Sequence, residues 1–213
     1  MSQLSLSDKL LCEIDTALRT LIVPKHRSSN RVNPGEVIPE QSLSVQEKAH
    51  VAGLMRVNHA GEVCAQALYQ GQALTAQLTE VKAQMIEAAA QEVDHLAWCE
   101  QRLCELGSQP SILNPLWYGG SLVLGALAGL AGDKWSLGFV AETERQVTKH
   151  LQIHQQHLPL QDIKTKAILA KMQDDEEHHA EVASAAGAAE LPFFIKKLMQ
   201  GVSKLLTKTS YYI

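Results

Sequence analysis

The sequence predicts an all-α chain, a four-helix bundle with an uncharged crossover between its halves and an extra amphipathic helix at each end. Three observations carry that reading. Hydrophobic residues make up 46% of the chain and aromatics only 5%, so the core must be built mainly from Ala, Leu, Val and Ile, of which Ala and Leu favour helices. No long stretch alternates with the period of two that a half-buried strand requires. Four long segments of helical character are separated by Gly and Pro, and 213 residues suffice to bury one core without disulfide or metal staples.

Taken in order, residues from about Ser7 to Leu21 place Leu11, Ile14, Leu18 and Leu21 on one helical face. A polar stretch from Pro24 to Glu40, with Pro34, Gly35 and Pro39, reads as a loop or mobile linker, so residues 1–43 form an N-terminal helix and linker ahead of a bundle spanning 44–213. The first long helix runs from about Val45 to Leu78 and the second from about Glu80 to Leu106, stopped by Gly107. Pro110 and Pro115 mark the connection to residues 116–132, a segment with no charge and five glycines. It falls short of the roughly 20 apolar residues a spanning helix needs. A buried crossover between bundle halves and a segment dipping into one leaflet or lining an apolar tunnel are both compatible with it. The third long helix runs from about Trp135 to His157 and the fourth from about Gln161 to Ala186, ended by Gly187. Last, Leu191, Phe194, Ile195, Leu198, Val202 and Leu205 make an apolar stripe beside lysines, suited to packing on its own protein or to lying on an anionic membrane.

A formal charge of -4 and a pI near 6.1 argue against a nucleic-acid partner. Four lysines and no acid follow Glu190, so the preceding residues carry -8 once those charges are taken from the total of -4. Cys12, Cys64, Cys99 and Cys104 form no Cys-x-x-Cys pair and read as small hydrophobes in a reducing compartment. Asp8, Glu13 and Asp15 interrupt the first apolar face, which speaks against a secretory signal or a transit peptide. A bacterial cytoplasmic origin fits these features, and a mature organellar protein fits them too.

Two copies of Glu-x-x-His lie in long helical segments, Glu92-Val-Asp-His95 and Glu176-Glu-His-His179. Residues three apart share a helix face about one turn from each other, so both side chains can reach one ion. A single copy means little, because Glu and His are common on solvated faces. The repetition changes that. Glu62 stands one helix before the first pair and Glu144 one helix before the second. Packing two such hairpins gives four carboxylates and two imidazoles pointing inward, the ligand set of ferritin-like bundles. Four glutamates in a core are untenable alone, whereas two divalent ions bring a compensating +4. Carboxylates bridge two ions and imidazole suits iron, while zinc prefers four-coordinate sites richer in Cys and His. Glu142 and Glu144 face nearly opposite sides, and spacing does not choose between them. His59, Gln66 and Tyr69 share the Glu62 side; Tyr69 reads as a core residue or as one orienting a ligand. His150, His154 and His157 read as supporting or surface groups rather than extra ligands, and His178 points about 100° away from His179.

The strings Arg56-Val-Asn-His-Ala-Gly-Glu62, Glu92-Val-Asp-His95, Ala141-Glu-Thr-Glu144 and Asp175-Glu-Glu-His-His179 together resemble the demethoxyubiquinone hydroxylase family, also called 2-polyprenyl-3-methyl-6-methoxy-1,4-benzoquinol monooxygenases. The resemblance covers about Ser44 to Leu198. It implies an oxygen-dependent di-iron monooxygenase of ubiquinone biosynthesis that hydroxylates the unsubstituted carbon of the demethoxy quinol ring. The implied ligands of the two iron ions are Glu62, Glu92, His95, Glu144, Glu176 and His179, with Tyr69 and His150 at positions the family fills in the same way. O2 is then the co-substrate, and electrons come from the quinol or from an external reductant such as NADH. A polyprenyl quinol implies peripheral contact with the cytoplasmic face of the bacterial inner membrane, for which the 116–132 segment and the lysine-lined C-terminal helix are suited. The resemblance leaves room for a homo-oligomer or an association with other ubiquinone-biosynthesis proteins. A ferritin-like ferroxidase with no organic substrate shares the ligand set and is the alternative. A manganese site of catalase type and a scaffold with coincidental Glu-x-x-His pairs stand further off.

Overall fold

A computed structural model describes residues 5–24 and 27–213, so residues 1–4 and 25–26 of the N-terminal segment lie outside the described residues. Among those described there are seven helices and no strand: α1 (Leu6–Leu21), α2 (Val45–Thr75), α3 (Thr79–Glu105), α4 (Asn114–Leu130), α5 (Asp133–His157), α6 (Ile163–Ala185) and α7 (Phe193–Ser210). The all-α, ferritin-like bundle expected from the sequence is the observed architecture.

Local chemistry sets most helix ends. Capping boxes open α1 (Ser5 with Asp8) and α2 (Ser44 with Glu47), and Asp162 caps α6 by accepting from the Thr165 amide at 3.0 Å. Gly107 sits at φ 71° beyond α3, where the Gly107 amide donates to Cys104 O and Ser108 to Leu103 O, a closure an L side chain would strain. One break comes from elsewhere in the chain. The expected first helix ran to Leu78, but α2 stops at Thr75, because the Asp133 carboxylate accepts from the amides of Gln77 (3.0 Å) and Leu78 (2.8 Å). A distant acid thus supplies the partners that helix continuation would have given.

Helices α2 and α3 form one hairpin and α5 and α6 the other; α2 faces α5 and α3 faces α6 across the bundle. The uncharged segment is α4, which runs parallel to α2 and returns the chain to the far end for the second hairpin. Its contact with α2 is backbone to backbone: a Cβ at Gly71 would meet the Leu122 carbonyl, and one at Gly125 the Leu68 carbonyl. So α4 is a crossover, yet only one face is covered. Leu116, Val123, Leu124, Leu127 and Leu130 are exposed. The C-terminal stripe behaves alike, since Phe194, Leu198, Val202 and Leu205 point outward while Leu206 and Ser210 pack inward.

Two apolar layers fill the bundle. One gathers Leu54, Met55, Trp98, Leu103, Leu151, Leu169 and Met172, the other Tyr69, Val81, Met85, Leu137, Val140 and Ala183. The polar stretch before α2 is tied to this body by ion pairs. Arg27 meets Glu100 at 2.8 Å, Arg31 meets Asp94 and Asp175 at 2.6 Å each, and Glu40 meets the fully buried Arg102 at 2.6 Å.

Candidate metal centre

Between the two apolar layers, each helix of the bundle turns carboxylates or imidazoles inward. Glu62 comes from α2, Glu92 and His95 from α3, Glu144 from α5, Glu176 and His179 from α6, and none is more than 7% exposed. Ligand atoms of Glu62, Glu92, His95 and Glu176 all lie within 4.8 Å of one another. His95 Nδ1 is 3.0 Å from Glu92 Oε2, 3.2 Å from Glu176 Oε1 and 3.5 Å from Glu62 Oε2. His179 Nδ1 is 3.2 Å from Glu92 Oε1 and 3.2 Å from Glu176 Oε2. Glu92 and Glu176 therefore each present one oxygen to each imidazole. Glu62 lies on the His95 side and Glu144 on the His179 side.

The electrostatics ask for cations. Burial, then the negative charge of Glu92, pushes Glu62 well above the usual carboxylate range, and burial with Glu176 and Glu92 does the same to Glu144. Glu92 is held well below that range by His95 despite its burial. Against burial, the hydrogen bond to Glu176 and the neighbouring Glu92 carboxylate hold His179 at about 11, and the charge of Glu92 raises His95 well above its ordinary value. Two divalent ions would replace these shared protons and bring +4 against -4. The oxygen-rich, sulfur-free donor set, with Glu92 Oε1 buried and lacking a hydrogen-bond partner, fits iron better than zinc.

Around the cage, Tyr69 donates its hydroxyl hydrogen to Glu144 Oε1. His95 Nε2 lies 3.0 Å from Asp175 Oδ2, and His179 Nε2 2.7 Å from Gln91 Oε1. Each imidazole thus rests on the residue preceding the glutamate of the other helix's Glu-x-x-His. The Glu-x-x-His spacing alone does not reveal this reciprocity, although the matched positions of Gln91 and Asp175 in the doubled pattern hold the clue. Glu142 instead faces Gln146 (2.7 Å) and Lys196 (3.6 Å), leaving Glu144 as the inward carboxylate. Among the described residues no hydrogen bond or ion pair involves His150, and its Nε2 is buried without a partner. It packs edge-on against His154 at 4.0 Å. His59 is buried between Glu100 and Asn114, and His178 is exposed. A pocket open to solvent lies beside His179, walled by Tyr69, Leu137, Val140, Val182 and Ala183. Another lies under α1 and shares Tyr69 and Met85 with the first.

A four-helix bundle with two Glu-x-x-His helices and two further inward glutamates defines the class of ferritin-like carboxylate proteins that hold paired metals. Within that class, the chain belongs to the family described as ubiquinone biosynthesis protein COQ7, whose model matches residues 49–210. It is 68% identical over 209 residues to a protein of Legionella pneumophila (strain Paris), covering 98% of each chain. It is 58% identical over 206 residues to one of Acinetobacter baumannii (strain ACICU), covering 97% of each. Both relatives are named 3-demethoxyubiquinol 3-hydroxylase.

Proposed function

We propose that this chain is an oxygen-dependent monooxygenase that hydroxylates the unsubstituted ring carbon of 2-polyprenyl-3-methyl-6-methoxy-1,4-benzoquinol at two iron ions. The observation that carries the reading is near-full-length similarity to proteins named 3-demethoxyubiquinol 3-hydroxylase in a chain that buries a metal-capable cluster of Glu62, Glu92, His95 and Glu176, with His179 and Glu144 beside it. In the net reaction one oxygen atom of O2 enters the ring and the other leaves as water, with two electrons and two protons consumed. The electrons come from the quinol or from an external reductant such as NADH.

Bound iron supplies the O2 activation that side chains lack. The remaining work falls to the chain. Glu92 and Glu176, each facing both imidazoles, would hold the ions together with Glu62 and His95 on one side and Glu144 and His179 on the other. Tyr69 fixes Glu144 through its hydroxyl and forms a wall of the cavity in which the ring would sit. Leu137, Val140, Val182 and Ala183 would give the ring an apolar wall, beside the polar Gln84, Glu87 and Gln91 of the same pocket. His150, whose Nε2 is buried without a hydrogen-bond partner, is proposed to serve the chemistry beside Tyr69.

The prenyl tail places the substrate in a bilayer. Among the described residues no helix is long and apolar enough to cross a membrane. Peripheral contact at the cytoplasmic face of the bacterial inner membrane would use the outward apolar faces of α4 and α7 and the lysines beside the latter.

A single turnover tests the reaction. Protein loaded anaerobically with ferrous iron is mixed with a short-chain demethoxyubiquinol and then with isotopically labelled O2. A product heavier by one labelled oxygen atom is expected. Oxygen uptake with ferric iron and an unchanged quinone would instead establish a ferroxidase.

A further inference from the structure

The two sides of the cage are alike in design but not in their outer support. On the His179 side the distal imidazole nitrogen meets the neutral Gln91 amide. On the His95 side it meets the Asp175 carboxylate, a partner that orients a metal-bound imidazole and strengthens it as a donor. Asp175 is itself held from outside the bundle. Arg31, in the segment between α1 and α2, places Nη1 2.6 Å from Asp175 Oδ2 and Nε 2.6 Å from Asp94 Oδ2. The Asn30 amide donates to the other oxygen of Asp94 at 2.7 Å, so the segment's backbone is fixed at the same point. The Arg31 guanidinium also lies over the Trp98 ring, 4.9 Å from its centroid, and that ring packs against His95 at 5.3 Å. One side chain thus touches both groups beside the His95 ring, the carboxylate at its edge and the indole tilted against it. It does so while clamping α3 to α6 across the outside of the site.

We propose that Arg31 is a positioning residue for the His95 side of the metal pair, acting through Asp175 and Trp98. The segment carrying it is thereby a strap whose seating sets how tightly one of the two ions is held. This rests on the cage being the two-iron site argued above. The strap precedes the residues matched by the family, which begin at 49. Its other anchors, Arg27 to Glu100 and Glu40 to Arg102, touch neither Asp175 nor His95, which separates holding the strap from positioning the ligand.

The test is the rate of ferrous iron release. Full-length protein is loaded anaerobically with two equivalents of Fe2+ and mixed with a chromogenic ferrous chelator, and release is followed beside thermal unfolding. In Arg31→Gln, one equivalent should leave about tenfold faster than in the parent protein while the other keeps its rate. Arg31→Lys should restore part of the difference, since an ammonium can meet Asp175 but cannot fork between two carboxylates. Arg27→Gln should lower the melting temperature and leave both release rates unchanged. Parent-like release from Arg31→Gln, equal acceleration of both equivalents, or equal acceleration by Arg27→Gln would each overturn the proposal. If Arg31→Gln does not fold, Arg31→Lys decides, and parent-like release from it overturns the idea. A parent protein that takes up fewer than two ions would instead refute the two-iron reading itself.

Discussion

Glu142 and Glu144 stand two residues apart on one helix and face different worlds, one toward Lys196 and the other into the cage. Replacing Glu144 by Ala should bring iron below two per chain by elemental analysis, and a retained two-iron content would remove Glu144 from the ligand set. A second prediction concerns His154. Its Nδ1 is 2.8 Å from Asn58 Oδ1, and burial, with the positive charge of His150, His157 and His50, lowers it to about 3. The folded protein therefore keeps this imidazole neutral where the unfolded chain, near 6.5, already takes a proton. Stability contributed this way is complete above about pH 6.5 and is lost as pH falls toward 3, at up to about 1.4 kcal/mol per pH unit. Melting temperatures of His154→Gln and the parent between pH 7.5 and 5 should converge as pH drops; parallel curves would contradict this.

At the scale of elements, the long helices and their stops were legible because caps and glycines act locally. The end of α2 was not, since it depends on Asp133, more than fifty residues away in sequence. Nor was the orientation of α4 and α7. Helical periodicity separates an apolar face from a polar one but does not say what the apolar face meets. The structure covers the glycine edge of α4 with α2 and leaves its leucines outward, as it leaves Phe194 and Leu198 of α7. Exposed apolar faces on several peripheral helices are costly unless something covers them. Phe194→Glu combined with Leu198→Glu should weaken binding to vesicles containing anionic lipid by more than about tenfold, from the lost burial of two large side chains. Unchanged co-sedimentation would move the contact to another surface.

For the whole molecule, the cage is a charged layer between two apolar ones, so the bundle's cohesion depends on what neutralises its centre. Removing iron should lower the melting temperature. At a thousandfold excess of metal over its Kd, binding contributes about 4 kcal/mol, or about 10 °C for a chain of this size. Equal melting of iron-loaded and stripped protein would deny the ions a part in stability. The sequence by itself determined the helical class, the four long helices and the doubled Glu-x-x-His with a glutamate one helix before each, because three-residue spacing on a helix puts both side chains on one face. The choice of Glu144 over Glu142 came with the family resemblance and is supported by the inward burial of Glu144. The tertiary structure alone decided which oxygen faces which imidazole, that Asp175 and Gln91 support opposite histidines, and that Arg31 reaches the site from outside the bundle. These are distances between residues up to 144 positions apart, and no local spacing encodes them until the helices pack.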